Sequence, residues 1–252
     1  MGVSRDTVGP SVPFRIGVFC LSILATTLAP RSAGAVTIDG DVTYTSDYVF
    51  RGISATGGRS AGQIDVHATT ADGTFLGVFA STLGRVWHRR HENLGWDYEL
   101  EEYLGHRFDI SPSWSATLTA VNYSYLNGNA PMSNDYQEVS AAVSYLDLWT
   151  TTLSVIPNAV RYDRGYRLGR YMAYTADATA QLPIVGRLFF TAGAGYYTSD
   201  NTGYAYGNAG LAFEFKSLRL EAGYYVAQDH AQALFPYGRA GSRFAGSVSW
   251  HF

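Results

Sequence analysis

The chain has 252 residues, and its 19 Tyr, 13 Phe, 5 Trp and 27 Gly, set against only 15% charged residues, describe a sequence rich in strand and turn formers and poor in helix-surface residues. The formal charge of −3, carried almost wholly by arginine and acids with Lys216 as the only lysine, offers no basic stripe of the kind that nucleic acid demands. One cysteine, Cys20, excludes a disulfide-stapled fold.

The first 35 residues read differently from the rest. Arg5 and Arg15 precede the apolar run IGVFCLSILATTLA, and Ala33 and Ala35 then supply the small-x-small pattern of a signal peptidase site. The run falls short of the roughly 20 apolar residues that a membrane-spanning helix needs. A signal peptide over residues 1–35 and a mature domain over 36–252, starting at Val36, are therefore predicted. Cys20 lies inside the apolar run without a lipoprotein context, so the exported chain keeps no cysteine and closes its fold by hydrogen bonding and burial. Removal of the leader leaves 15 basic and 20 acidic side chains, a formal charge of −5.

From Val36 on, the pattern is a period of two. In VTIDGDVTYTSDYVF, Val36, Ile38, Gly40, Val42, Tyr44, Ser46, Tyr48 and Phe50 share one face, and Thr37, Asp39, Asp41, Thr43, Thr45 and Asp47 share the other. A strand with lipid on one side and water on the other averages to a mean hydropathy near zero, which fits the value of −0.07. Short turn signals follow at Asp72, Ser111, Asp147, Val185 and Ser217. Between them lie GISATGGRSAG, GRVWHRRHENLG, NGNAPMSND, DRGYRLGR, TSDNTG and QDHAQALFPYGRAGS, read as six long loops. Five tight turns and six loops predict twelve antiparallel strands, an even number with both ends on the short-turn side. Two strands read imperfectly: Pro157 implies a bulge or an early end to pairing, and Glu102 on an apolar parity implies a bulge or a position near the membrane interface.

The chain closes on RFAGSVSWHF, where Phe244, Gly246, Val248, Trp250 and Phe252 alternate with Arg243, Ala245, Ser247, Ser249 and His251. If this strand pairs with the first, no sheet edge stays open in hydrocarbon, where each orphan backbone group costs several kcal/mol. A lipocalin-like barrel or a β-sandwich is the soluble rival; its outward face would be polar on most strands.

The stretch SDYVFRGIS (Ser46 to Ser54), with FLGVFAST from Phe75 and YELEEYLGH from Tyr98, resembles the TorF family of porin-like proteins, also known as the Gcw_chp domain family. Family members commonly carry a Pro-Ala pair shortly after the first motif, where this chain reads GGRSAG. The resemblance implies an outer-membrane barrel with a channel role, and implies little about the solute.

On the face opposite the apolar one stand Asp39, Asp41, Asp47, Asp65, Asp97, Glu99, Glu101, Glu138, Asp177, Glu214 and Glu221. They can form an acidic lumen that favours cations, or pair with Arg51, Arg107 and Arg219 and close the lumen. Arg85, Arg89, Arg90, Arg161, Arg164, Arg167 and Arg170, with Arg51, Arg59, Arg239 and Arg243, fall in or beside the loops. Guanidinium forks suit lipopolysaccharide phosphates or an anionic solute at the outer mouth, and the rim can equally be a solvated surface with internal pairs, to Asp163 for example. Tyr48, Trp87, Trp96, Trp114, Trp149 and Trp250 suit interfacial girdles. A hydrolase would need a nucleophile and base brought together, and His67 with Ser60 or Ser81 is the pair to examine. His88 and His91 beside Glu92 read as solvated surface rather than a metal site.

The sequence thus predicts an all-β, up-and-down transmembrane barrel of about twelve strands in the bacterial outer membrane, a porin passing small hydrophilic solutes or ions by passive diffusion, without cofactor or catalysis. Expected contacts are outer-membrane lipid and lipopolysaccharide, small solutes or ions, and the barrel assembly machinery through the strand ending in Phe252; no nucleic acid is expected. The alternative is a closed-lumen barrel serving as a lipid-modifying enzyme or a structural or adhesive surface protein.

Overall fold

Alternation over runs of nine to twenty residues produces strands throughout the computed structural model, which describes residues 36–83, 97–126, 133–163, 166–236 and 238–252. The segment expected as a leader lies outside these residues. In chain order the elements are β1 (Val36–Thr45), β2 (Val49–Phe50), β3 (Ile53–Ser54), β4 (Ala61–Thr70), β5 (Thr74–Thr82), β6 (Tyr98–Ser111) and β7 (Trp114–Leu126). Then follow β8 (Tyr136–Tyr145), β9 (Trp149–Asp163), β10 (Tyr166–Val185), β11 (Leu188–Ser199), β12 (Thr202–Phe215), β13 (Leu218–Ala227), α1 (Ala231–Leu234) and β14 (Arg243–His251). All but β2, β3 and α1 join one closed antiparallel barrel of twelve strands, in which each strand pairs with its chain neighbour and β14 pairs with β1.

The final strand ends where the sequence pattern requires. Val42 stands opposite Trp250 and Tyr44 opposite Val248, and the Phe252 N–H donates to the Gly40 carbonyl (3.0 Å) while Gly40 N–H donates to Phe252 (3.1 Å). Closure leaves no edge strand in the barrel among the described residues. Glycine is required at position 40 because a Cβ there would lie 2.5 Å from the Asp65 carbonyl oxygen and 2.8 Å from the Phe252 ring. Tyr103 covers Gly77 in the same way, 2.5 Å from where a Cβ would stand, an aromatic ring laid across the glycine of the facing strand.

The apolar parity faces outward: Val36, Ile38, Val42 and Tyr44 on β1 are exposed, as are Leu76 and Val78, Leu153 and Val155, and Phe244, Val248 and Trp250. Trp114, Trp149 and Trp250 ring the short-turn end. All five short turns fall where the sequence signals place them, and in the β4–β5 turn the Thr70 hydroxyl donates to Asp72, holding that carboxyl below its ordinary range.

The far end differs from the sequence reading in three places. TSDNTG is a two-residue turn, Asp200 and Asn201, both at positive φ (45° and 61°), the geometry that matches the twist of the flanking strands. DRGYRLGR is mostly strand, since Tyr166 pairs with Asp163 and only residues 164–165 intervene. The first strand stops at Thr45 instead of running to Phe50, and the chain turns into the barrel. Pro157 does sit in a bulge: β9 and β10 slip register between Ile156 and Ala159, and the Asn158 side chain accepts the Gln137 N–H (2.9 Å) that the strand no longer pairs. Glu102 keeps regular register with Val78 and Asn122, so no bulge removes it from the outward face.

Candidate functional site

The interior is crossed by residues 46–60, the first loop. Its tip is a hairpin in which Val49 pairs with Ser54 and Phe50 with Ile53 around Arg51 and Gly52, both at positive φ (48° and 75°). A Cβ on Gly52 would lie 2.8 Å from both Tyr206 and Ala227, so only glycine lets the turn press against the β12–β13 wall. Tyr48 meets Phe79 on β5 edge-on, and Phe50 meets Tyr123 on β7 at 6.3 Å. The hairpin therefore reaches from the β5 wall to the β13 wall.

One ion pair anchors it. Arg51 donates through Nη1 and Nη2 to the two Glu138 oxygens (2.9 and 2.6 Å), and Glu138 is fully buried on the inner face of β8. This bidentate fork supplies direction as well as attraction. Tyr204 adds a hydrogen bond to the Arg51 carbonyl (3.2 Å). Around the tip Ile53 packs with Ile156, Ala173, Tyr197, Tyr204 and Leu234, and Phe235 stands edge-on to Tyr197 and Tyr204. An apolar core thus fills part of the space inside the barrel.

The last loop, which carries α1, clamps the hairpin. Ser54 and Arg239 exchange both backbone hydrogen bonds (2.9 and 3.0 Å), and Arg239 Nη1 donates to the Gly57 carbonyl (3.1 Å). Asp47 collects Ser54 Oγ (2.5 Å), Thr56 Oγ1 (2.7 Å) and Arg243 Nη1 (3.4 Å). Arg239 and Arg243, which the sequence places only in or beside the loops, turn inward and hold the first loop, and Arg51 takes the pairing with an inner acid that the sequence offered as the alternative to an open lumen. Tyr48, expected in a girdle, is inside the barrel as well.

The acids expected on the inner face divide by place. Glu99 and Glu101 are buried at the level of the hairpin, and Asp97 stands just beyond the start of β6 at the long-loop end. Asp39, Asp41 and Asp65 lie toward the short-turn end on the paired strands β1 and β4. Asp65 accepts from Tyr103 (2.6 Å) and lies 3.0 Å from His67 Nδ1; Asp177 accepts from Thr175 (3.0 Å) and from Tyr206. Glu221 and Glu214 share Arg219 (3.1 and 2.6 Å), and Arg107 binds Asp147 and Asp109 at the turn end. Three arginines therefore neutralise part of the acidic face. Asp39, Asp65 and Asp177 have no arginine partner within salt-bridge distance among the described residues.

Of the arginine rim, Arg85, Arg89, Arg90 and Arg164 lie outside the described residues, as do Trp87, His88, His91, Glu92 and Trp96. Arg161 pairs with Asp200 rather than Asp163 and lies 5.4 Å from the Tyr171 ring centre. Arg167 takes an inward position on β10, and Arg170 is exposed on the outward face. Ser81 accepts from Gln63 (3.2 Å) and stands four residues along the ladder from the register of His67, roughly 13 Å away. Ser60 is exposed in the loop. The residues considered for hydrolysis are not brought together.

Residues 29–252 match the family model described as a bacterial protein of unknown function, Gcw_chp. A search of curated protein sequences finds no match. Among solved structures the fold is similar to the NanC porin, with a TM-score of 0.55 and 10% identity over 84% of this chain and 98% of that one. It is also similar to the KdgM porin, with a TM-score of 0.50 and 10% identity over 85% and 99%.

Proposed function

The chain belongs to the Gcw_chp family of bacterial proteins, and from that premise we propose that it is an outer-membrane porin whose first loop narrows the passage and whose inner acids favour small cations and neutral hydrophilic solutes. The apolar outer wall, the closed twelve-strand barrel and the likeness to two porins support the membrane and channel parts of this reading. The observation that carries it is the hairpin held across the interior by Arg51 and Glu138, on an inner wall that also carries Asp39, Asp65 and Asp177. The TorF-type motif Ser46 to Ser54, which carried the resemblance, is the segment that builds this hairpin.

Charge preference follows from the inner wall. Acid side chains on a partly water-filled wall raise the local concentration of cations and repel anions. The refolded mature chain in a planar bilayer under a salt gradient is expected to show brief, cation-favouring openings. Asp39→Asn with Asp65→Asn should move the reversal potential toward zero. An anion-favouring wild-type potential would overturn the assignment of the acids and give control to the arginines.

A further inference from the structure

One row of outward-facing side chains breaks the apolar belt. Asn122 on β7 donates to Glu102 Oε2 on β6 (3.0 Å), Gln137 on β8 donates to Asn122 Oδ1 (2.7 Å), and Asn158 on β9 donates to Gln137 Oε1 (2.7 Å). Arg170 on β10 ends the row, its Nη1 donating to the carbonyls of Asp135 (2.5 Å) and Asn158 (3.0 Å) and leaving Nη2 and Nε outside these bonds. The row thus runs across five strands from a carboxylate to a guanidinium. The bulge at Pro157 explains Asn158 and Gln137, because the Asn158 amide replaces a lost ladder partner. It does not explain Glu102 or Arg170, charges on a wall that faces lipid.

The depth of the row gives the first clue. Asn122 is four residues from the long-loop end of β7 and Gln137 is the second residue of β8, so the row stands near the long-loop rim, the exterior side of a bacterial barrel. Charged and amide groups at that level meet headgroups rather than hydrocarbon. The second clue lies next to it on the same strands, toward the membrane centre. Val139, Ala141, Leu153 and Ala176 floor an apolar groove of about 510 Å³, walled by Tyr174 and Tyr196. Small alanines between bulkier neighbours make this part of the wall concave.

A polar row directly above an apolar groove is the imprint of an amphiphile. We propose that strands β6 to β10 bind one lipopolysaccharide molecule of the outer leaflet, with an acyl chain in the groove and the phosphorylated amino-sugar anchor on the row. The phosphate faces Arg170, whose guanidinium presents further N–H donors, and sugar hydroxyls and acylamides exchange hydrogen bonds with Glu102, Asn122 and Gln137. This rests on the outer-membrane reading but not on conduction, so it can fail while the channel stands.

The test is native mass spectrometry of the mature barrel, refolded in detergent with lipopolysaccharide and challenged with phosphatidylglycerol. One lipopolysaccharide per barrel is expected to persist. Arg170→Ala and the groove-filling Ala141→Phe should each reduce retention roughly tenfold, the scale of one charged hydrogen bond, with unchanged heat-modifiable migration. Ala141 points outward, so its substitution leaves the interior untouched. Equal retention in both variants would overturn the site, as would displacement by phosphatidylglycerol at equal concentration. Dimers that Ala141→Phe dissolves would overturn it too, and give this face to a second copy of the chain.

Discussion

Arg51 combines a left-handed backbone, a fully buried partner and a turn position that only its glycine neighbour permits. Removing one partner of such a pair leaves a charge without compensation, at a cost of about 3–5 kcal/mol. Arg51→Ala is therefore expected to release the hairpin while the strands remain paired. Limited proteolysis of the folded barrel should cut the variant within residues 46–60 and spare the wild type; equal resistance would mean that the apolar packing of Ile53 suffices. At the other end of the molecule, Gly40→Val places a branched side chain where the Phe252 ring lies. The expected result is a smaller heat-modifiable fraction after refolding, because the seam between β1 and β14 closes poorly.

At the scale of elements, the barrel strands were legible because each obeys one rule: a side chain meets either lipid or the interior, and alternation records which. The first loop obeys the same rule and so looked like more of the first strand. Tyr48 and Phe50 carry the apolar parity past Thr45, yet their rings pack inside against Phe79 and Tyr123. Periodicity cannot distinguish an aromatic facing lipid from one facing an internal core. The legible signal was chemical: Asp47 and Arg51 are poorly suited to the end of a lipid-facing strand, and Arg-Gly suits a tight turn at positive φ. DRGYRLGR misled for the opposite reason, since its arginines suggested a loop although Arg167 and Arg170 lie on a paired strand.

The clamp between the two inward loops yields an element-scale prediction. Ser54 and Arg239 exchange both backbone hydrogen bonds, which places their Cα atoms about 5.5 Å apart, within disulfide range. The expected mature chain has no cysteine to compete. Ser54→Cys with Arg239→Cys should oxidise readily and suppress openings, and a reductant should restore them. Current that ignores the cross-link would show that solute passes without movement of these loops.

As a whole molecule, the protein is a barrel with an apolar outer wall, acids spread along its inner face, short turns at one end, and an internal core built by two loops toward the other. Alternation leaves open whether the inner acids line a passage or pair with Arg51, Arg107 and Arg219, and it places Arg239 and Arg243 only in or beside a loop. Chain separation is the reason: Arg51 meets Glu138 at a distance of 87 residues, and no local pattern pairs them. The central claim is that the first loop limits the passage. It is tested most directly by single-channel conductance of the refolded wild type beside a variant in which residues 49–54 are replaced by a short Gly-Ser link. The account predicts a near-silent wild type and a steadily conducting, cation-favouring variant with the same heat-modifiable migration. A folded variant as silent as the wild type would contradict it.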